Sequence, residues 1–252
     1  MNNGNYILVA DSHLQKGEEE SFFDMLEKIR LYQPAGVIFL GDIFELWIAL
    51  NGYESDIHER FLQWCREAKK HFEVGFIVGN HEFYLGRHAD AFSWINEKEY
   101  TLESLGIRVL HGDQLNREDK GYRFLRKLLR NPLTRFLLKI TAGSIGPKIA
   151  DHVRVSLKPT NRRHKRHLPM LYLKEYSEKA AKKRIRKIFA GHFHRHENLD
   201  FYDGIPVEIL PDWGTAGEII VLKSDLQSEC GPWQELLKQE NDHQSNRQQG
   251  EN

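Results

Sequence analysis

The sequence predicts an α/β fold, a sheet layer with helices on its faces. Three observations carry that prediction. Short apolar runs of strand length alternate with longer segments of helical period. Five of those runs end on a polar cluster containing Asp, Asn or His. Ligands in such folds bind beyond the carboxyl ends of the strands, so the clusters mark one sheet edge. Finally, 252 residues suffice to bury one substantial core.

Residues 6–10 are the first expected strand and deliver Asp11-Ser12-His13. Residues 18–32 place Phe22, Phe23, Leu26, Ile29 and Leu31 near helical spacing, and Pro34 ends that helix. The apolar run 35–40 is the second strand and leads into Gly41-Asp42-Ile43-Phe44-Glu45. Residues 56–71 read as a helix with Phe61, Leu62, Trp64, Cys65 and Ala68 inward. Strand 74–78 delivers Gly79-Asn80-His81-Glu82, and strand 107–110 delivers His111-Gly112-Asp113. The rhythm then breaks. Residues 121–157 mix helix-period apolar side chains with basic ones, and Pro132 and residues 143–146 divide them into short helices. A basic linker at 158–167 precedes another helix at 168–184. Strand 185–190 delivers Gly191-His192-Phe193-His194, and 199–202, 206–210 and 218–222 are short strands joined by turns. The chain is therefore expected to hold one domain over 1–225 with a helical insertion at about 117–184. Residues 226–252, rich in Gln, Asn and Glu from 239 onward, are the expected disordered tail.

The 36 basic and 36 acidic residues cancel, which removes any global bias toward nucleic acid or membrane. The charge is uneven, however: residues 117–187 hold 22 Lys and Arg against five Asp and Glu. Cys65 and Cys230 are too far apart to read as a disulfide framework or a zinc site, which suits a reducing compartment. The polar N-terminus lacks a secretory signal, and no apolar run approaches the ~20 residues of a spanning helix. A cytoplasmic location follows, with any membrane contact peripheral.

Asp11, His13, Asp42, Asn80, His111, His192 and His194 all fall just past expected strands. Hard oxygen ligands mixed with imidazoles suit manganese, iron or zinc better than calcium or magnesium. A shared carboxylate lets two cations sit ~3.5–4 Å apart and clamp a phosphoryl group. Asp42, just past the apolar run 35–40, is the candidate for sharing.

Taken together, Asp11-x-His13, Gly41-Asp42, Gly79-Asn80-His81-Glu82, His111-Gly112-Asp113 and Gly191-His192-x-His194 resemble the calcineurin-like metallophosphoesterase signature. The resemblance implies a two-sheet β-sandwich flanked by helices, an αββα arrangement, here with a helical lid insertion. It implies one metal on Asp11, His13, Asp42 and His194, and another on Asp42, Asn80, His111 and His192. It makes His81 the residue that contacts the scissile phosphate and protonates the leaving oxygen. Glu82 stands where the family usually has Asp, and is expected to orient His81.

Gly41-Asp42-Ile43-Phe44-Glu45-Leu46-Trp47-Ile48, His111-Gly112-Asp113-Gln114-Leu115 and the basic insertion with Asn131-Pro132 are more specific. They resemble the branch of that family that cleaves the diphosphate of UDP-2,3-diacylglucosamine in the lipid A pathway. That branch implies a phosphorylated lipid-nucleotide substrate, attack by a metal-activated hydroxide, and substrate contacts from Asn80, His81, His192, Arg154, Ser156 and Lys158. In its best-known members Arg occupies the position of His81. The insertion suits such a substrate, because Phe124, Leu128, Leu129, Phe136, Leu137 and Ile140 offer apolar walls and the basic residues offer cations. Basic amphipathic helices also favour anionic membrane surfaces, which places the contact at the cytoplasmic face of the inner membrane. No stable nucleic-acid partner is expected. Two other readings compete: a metallophosphoesterase for a nucleotide, phosphoprotein or simple phosphomonoester, and a non-enzymatic nucleic-acid binder using the basic segment. Among the remaining histidines, His58, His71 and His88 are expected on the surface, and His152, His164 and His167 in the basic region.

Overall fold

Ile7 and Val9, Val37 and Phe39, and Val74 and Phe76 share one core cluster. Leu8, Ile38 and Ile77, out of step with them, belong to a second. Successive side chains of a strand point to opposite faces, so this alternation means a sheet covered on both sides. The computed structural model describes residues 4–115, 128–141, 146, 148 and 168–238. The elements run β1 (Tyr6–Val9), α1 (Glu20–Tyr32), β2 (Gly36–Phe39), β3 (Trp47–Ile48), α2 (Asp56–Ala68), β4 (Glu73–Ile77) and β5 (Glu82–Phe83). Next come β6 (Trp94–Asn96), β7 (Glu99–Leu102), β8 (Ile107–Leu110), α3 (Pro132–Thr141), α4 (Met170–Ala181) and β9 (Lys187–Ala190). The last elements are β10 (Glu197–Leu199), β11 (Val207–Ile209), α5 (Trp213–Ala216), β12 (Glu218–Leu222), β13 (Ser228–Pro232) and α6 (Trp233–Leu236).

A six-stranded sheet has the order β13-β12-β1-β2-β4-β6, and a five-stranded sheet the order β10-β11-β9-β8-β7. β1, β2 and β4 are parallel, as are β8, β9 and β11. The outer face of the first sheet takes Phe22, Met25 and Ile29 of α1 and Phe61, Trp64 and Cys65 of α2. Between the sheets lie Leu8, Ile38, Ile77, Val109, Phe189 and Ile220. The far face of the second sheet packs Leu110, Ile188 and Ile209 against Leu173 and Ala180 of α4. This is the helix–sheet–sheet–helix layering implied by the family resemblance.

The folded region continues past the expected boundary at 225. β13 pairs antiparallel with β12 from Glu218–Pro232 to Leu222–Ser228, and Trp233 and Leu237 are buried in the first core. Docking Trp233 and Leu237 there removes their apolar surface from water, which holds this last stretch on the domain. Within the expected insertion, α3 turns Leu138 inward with Leu129 onto Ile48, Leu50 and Phe83. Tyr53 Oη donates to Leu138 O at 3.1 Å and Tyr84 Oη donates to Leu129 O. Arg154, Ser156 and Lys158, together with Phe124, His152, His164 and His167, lie outside the described residues. Among the described residues no helix is long and apolar enough to cross a membrane.

Candidate metal centre

The parallel order puts the carboxyl ends of β1, β2 and β4 side by side, and those of β8 and β9 opposite them. Asp11, Asp42 and Asn80 come from the first sheet and His111, His192 and His194 from the second. Backbone bonds zip the loops together: Asp11 N donates to Gly41 O at 3.1 Å, and His13 N to Asp42 O at 3.0 Å. Trp47 N donates to His81 O at 2.8 Å. Asp11, His13, Asp42, His192 and His194 all have left-handed backbones, with φ of 54°, 45°, 54°, 74° and 51°. Asp and His tolerate this region better than bulkier residues, and such strain gathers at functional sites. Gly41 is required sterically as well. At φ 88°, a Cβ there would stand 2.6 Å from the Gly79 amide nitrogen.

Each aspartate has one oxygen fixed by a backbone amide and one aimed inward. Asp42 Oδ1 accepts from His81 N at 2.9 Å, and Asp11 Oδ2 accepts from His192 N at 2.7 Å. Asp42 Oδ2 and Asp11 Oδ1 are buried without a hydrogen-bond partner. Around Asp42 Oδ2 stand the Nε2 atoms of His111 at 3.5 Å, His81 at 3.8 Å and His13 at 3.9 Å. Asp11 Oδ1 lies 3.1 Å from His194 Nε2 and 3.9 Å from His13 Nε2. Asn80 Oδ1 is 3.0 Å from His111 Nε2. Native proteins rarely leave buried carboxylate oxygens unsatisfied. Oxygens left bare among converging imidazole nitrogens fit cations. Asp11 with His13 and His194, and Asp42 with His111 and His192, bring their ligand atoms within 4.8 Å of one another and could each hold a metal ion.

The tautomers follow from the outer contacts. His111 Nδ1 donates to Leu40 O at 2.7 Å and His81 Nδ1 to Glu45 O at 2.6 Å, so each turns its Nε2 inward. Burial disfavours a charged His111, but the Asp42 carboxylate, with Asp11 and Asp113, carries its pKa up to about 10. Burial, with His111 as its neighbour, pushes His192 down to about 3, which leaves it a neutral ligand. Burial opposes ionisation of Asp42, yet His111, His81 and His13 hold its carboxyl well below the usual range. The centre without metal therefore carries a proton on His111 that a cation must displace.

Glu82 does not orient His81, contrary to expectation. Its carboxylate is fully buried and accepts from Asp42 N at 3.0 Å, Ile43 N at 2.7 Å and Gly79 N at 2.6 Å. The extra methylene relative to Asp lets it reach across and pin two metal loops, while Glu45 O holds His81. Burial and the adjacent Asp42 push the Glu82 pKa up to about 8, against the pull of those amides. The sequence reading missed Asp212, whose Oδ2 lies 3.6 Å from His194 Nδ1, and the Glu45 carboxylate, 3.8 Å from His13 Nδ1. Asp212 follows β11 as the other site residues follow their strands, and that position was its signal. His196 instead pairs with buried Glu208 at 3.0 Å. His58 and His88 are buried and not on the surface, because they pack against Trp47 and share the Glu54 neighbourhood. Trp47 itself is wholly buried.

A two-sheet sandwich with buried carboxylates and imidazoles converging at one strand edge defines a metal-dependent hydrolase of phosphoric esters. The chain belongs to the calcineurin-like phosphoesterases, whose family model matches residues 5–196. It is 27% identical over 230 residues to a UDP-2,3-diacylglucosamine hydrolase of Pseudomonas putida, covering 84% of this chain and 92% of that protein. A protein of the same name from a Shewanella species is 26% identical over 225 residues, covering 87% and 94%. Among solved structures, a dimetal phosphatase from Danio rerio matches with TM-score 0.42 and 13% identity over 92% of this chain and 100% of that one. Vps29 from Chaetomium thermophilum matches with TM-score 0.42 and 8% identity over 90% and 94%.

Proposed function

We propose that the protein hydrolyses UDP-2,3-diacylglucosamine with water to UMP and 2,3-diacylglucosamine 1-phosphate. The observation that carries the hydrolysis is the bare Asp42 Oδ2, buried among three imidazole nitrogens at 3.5–3.9 Å. Asp11, His13, Asp42 and His194 hold one divalent cation in this reading, and Asp42, Asn80, His111 and His192 the other. Manganese is the first candidate, with iron and zinc behind it. Such a pair supplies Lewis acidity to the phosphoryl oxygens and a nucleophilic water at neutral pH.

The chain's own residues do the rest. Asn80, His81 and His192 face the phosphoryl group, and Arg154, Ser156 and Lys158 of the insertion complete the substrate contacts. Water attacks the phosphorus next to uridine, and the bond from that phosphorus to the bridging oxygen breaks. His81 keeps the proton on Nδ1 in its bond to Glu45 O, and the proton that it gives to the departing sugar phosphate is a second one, carried on the inward-facing Nε2. Support for this substrate comes from the names of the relatives at 26–27% identity and from the apolar and basic character of the insertion. An acyl-bearing substrate also favours a cytoplasmic protein in peripheral contact with an anionic membrane.

A second reading rests on His81 standing where the best-known diphosphatases carry Arg. It gives the same chemistry on another phosphodiester or a phosphomonoester. Incubation with UDP-2,3-diacylglucosamine and manganese, followed by product analysis, decides between them. UMP with lipid monophosphate is the expected result. Turnover of a chromogenic diester without release of UMP supports the second reading, and salt-dependent nucleic-acid binding without any hydrolysis defeats both.

A further inference from the structure

The ribbon of β3 and β5 leaves the metal loops at one end and at the other meets a cavity of about 470 Å³. Among the described residues, Leu50, Asn51, Arg87, Arg135 and Lys139 line it: three cations, an amide and an apolar side chain, with no carboxylate. Arg87 is held in place, donating through Nη2 to Asn51 Oδ1 at 2.7 Å. Arg135 lies over the Tyr84 ring, 5.5 Å from its centroid. Glu54 stands beside the pocket: its Oε2 lies 3.7 Å from Arg87 Nη1, and its Oε1 accepts from Trp47 Nε1 at 2.9 Å and pairs with His88 Nε2 at 2.7 Å, so Arg87 is partly neutralised and Arg135 and Lys139 carry most of the attraction. Arg87 and Arg135, each held by a neighbour beside the hollow, cost little further ordering when an anion binds.

Arg135 and Lys139 are one turn apart on α3, and the same helix has an uncovered apolar face. Leu133, Phe136, Leu137 and Ile140, at intervals of three and four residues, are 66%, 59%, 49% and 65% exposed. They turn away from Leu129 and Leu138, which pack inward, so Phe136, Leu137 and Ile140 are not placed as the acyl walls expected of them. A helix that is apolar on one face and basic beside it lies in the boundary between headgroups and acyl chains. None of the residues lining the pocket is a candidate metal ligand, so the pocket is distinct from the metal centre.

We propose that this pocket seats the phosphate of an anionic phospholipid headgroup, with Leu133, Phe136, Leu137 and Ile140 lying in the acyl boundary of the same bilayer. The proposal rests on the membrane contact given above. It can be tested without substrate turnover.

The test is co-sedimentation of the full chain with vesicles of phosphatidylglycerol and phosphatidylethanolamine, and with vesicles of phosphatidylcholine alone. Binding to the first and not the second is expected. Each juxtamembrane cation contributes about five-fold to partition, so Arg87→Gln/Arg135→Gln/Lys139→Gln loses about 100-fold. Lys139→Gln alone, a mild change on the helix surface, loses about five-fold. The same change of charge at Lys179, Lys182 and Lys183, before β9 and away from the metal edge, leaves partition within about two-fold. If the wild type binds anionic vesicles but the pocket variants bind as well as it does, the headgroup site is wrong and the membrane contact survives. Equal loss in both triple variants also overturns the site, since only overall charge would then matter. Failure of the wild type to bind anionic vesicles removes both ideas. Displacement of bound vesicles by a short RNA of equal affinity would assign the cations to nucleic acid instead.

Discussion

At the scale of single residues, the centre depends on side chains that touch no cation. Glu82 ties the Asp42 and Gly79 loops together through three backbone amides. Glu82→Gln replaces one accepting oxygen by a donor facing another donor. Metal affinity measured by calorimetric titration is expected to fall about 10- to 100-fold, as for other outer supports of metal ligands. His81→Ala leaves the ligand set complete, so metal content by elemental analysis stays at the wild-type level. Under the proposed chemistry kcat nevertheless falls about 10²- to 10⁴-fold, the usual worth of a positioned proton donor. The candidate ligands were legible because each follows an apolar run directly. Glu82, Glu45 and Asp212 were less so, because a carboxylate beside a metal motif looks the same whether it holds a ligand, an amide or nothing.

At the scale of elements, the strands that were plain in the sequence are the buried parallel ones, where continuous apolar runs leave no other reading. β6 and β7 were hidden because they are half-exposed edge strands whose side chains alternate in polarity over only a few residues. β13 was hidden inside the expected tail because Ser228–Pro232 has no apolar alternation, although Gly231 and Pro232 both tolerate a sheet's edge. The start of α2 has a disguised signal too. Ser55 N donates to His58 Nδ1 at 3.1 Å, a capping box with His in place of the usual Glu or Gln. Burial against Phe44 and Trp47 pushes the His58 pKa down to about 4. A folded pKa below the unfolded value means that the unfolded chain takes up the proton first as pH falls. Stability is therefore full above pH ~6.5 and drains away down to pH ~4, by about 3 kcal/mol from this group. His58→Gln keeps a cap without a titrating ring. Urea unfolding at neutral pH and at pH ~4.5 should show that much of the acid loss abolished in the variant.

At the scale of the molecule, the first sheet contributes Asp11, Asp42 and Asn80, and the second contributes His111, His192 and His194. The α/β layering was readable from the alternation of strands and helices, and the second sheet only through the family resemblance. The placement of the chain after 225 was not, because its anchors, Trp233 and Leu237, stand in no periodic apolar run that would announce their burial. Cations on ligands from both sheets would act as a rivet through the sandwich. Anything that binds only the folded form stabilises it by about 2.7 kcal/mol at 100 times its dissociation constant. Stripping the metals with a chelator should lower the melting temperature by several degrees, and adding manganese back should restore it. Protease cleavage should accelerate in the stripped protein, first in loops that leave the strand tips. A heat-denaturation curve of this protein thus doubles as an assay of how well its cell has supplied it with metal.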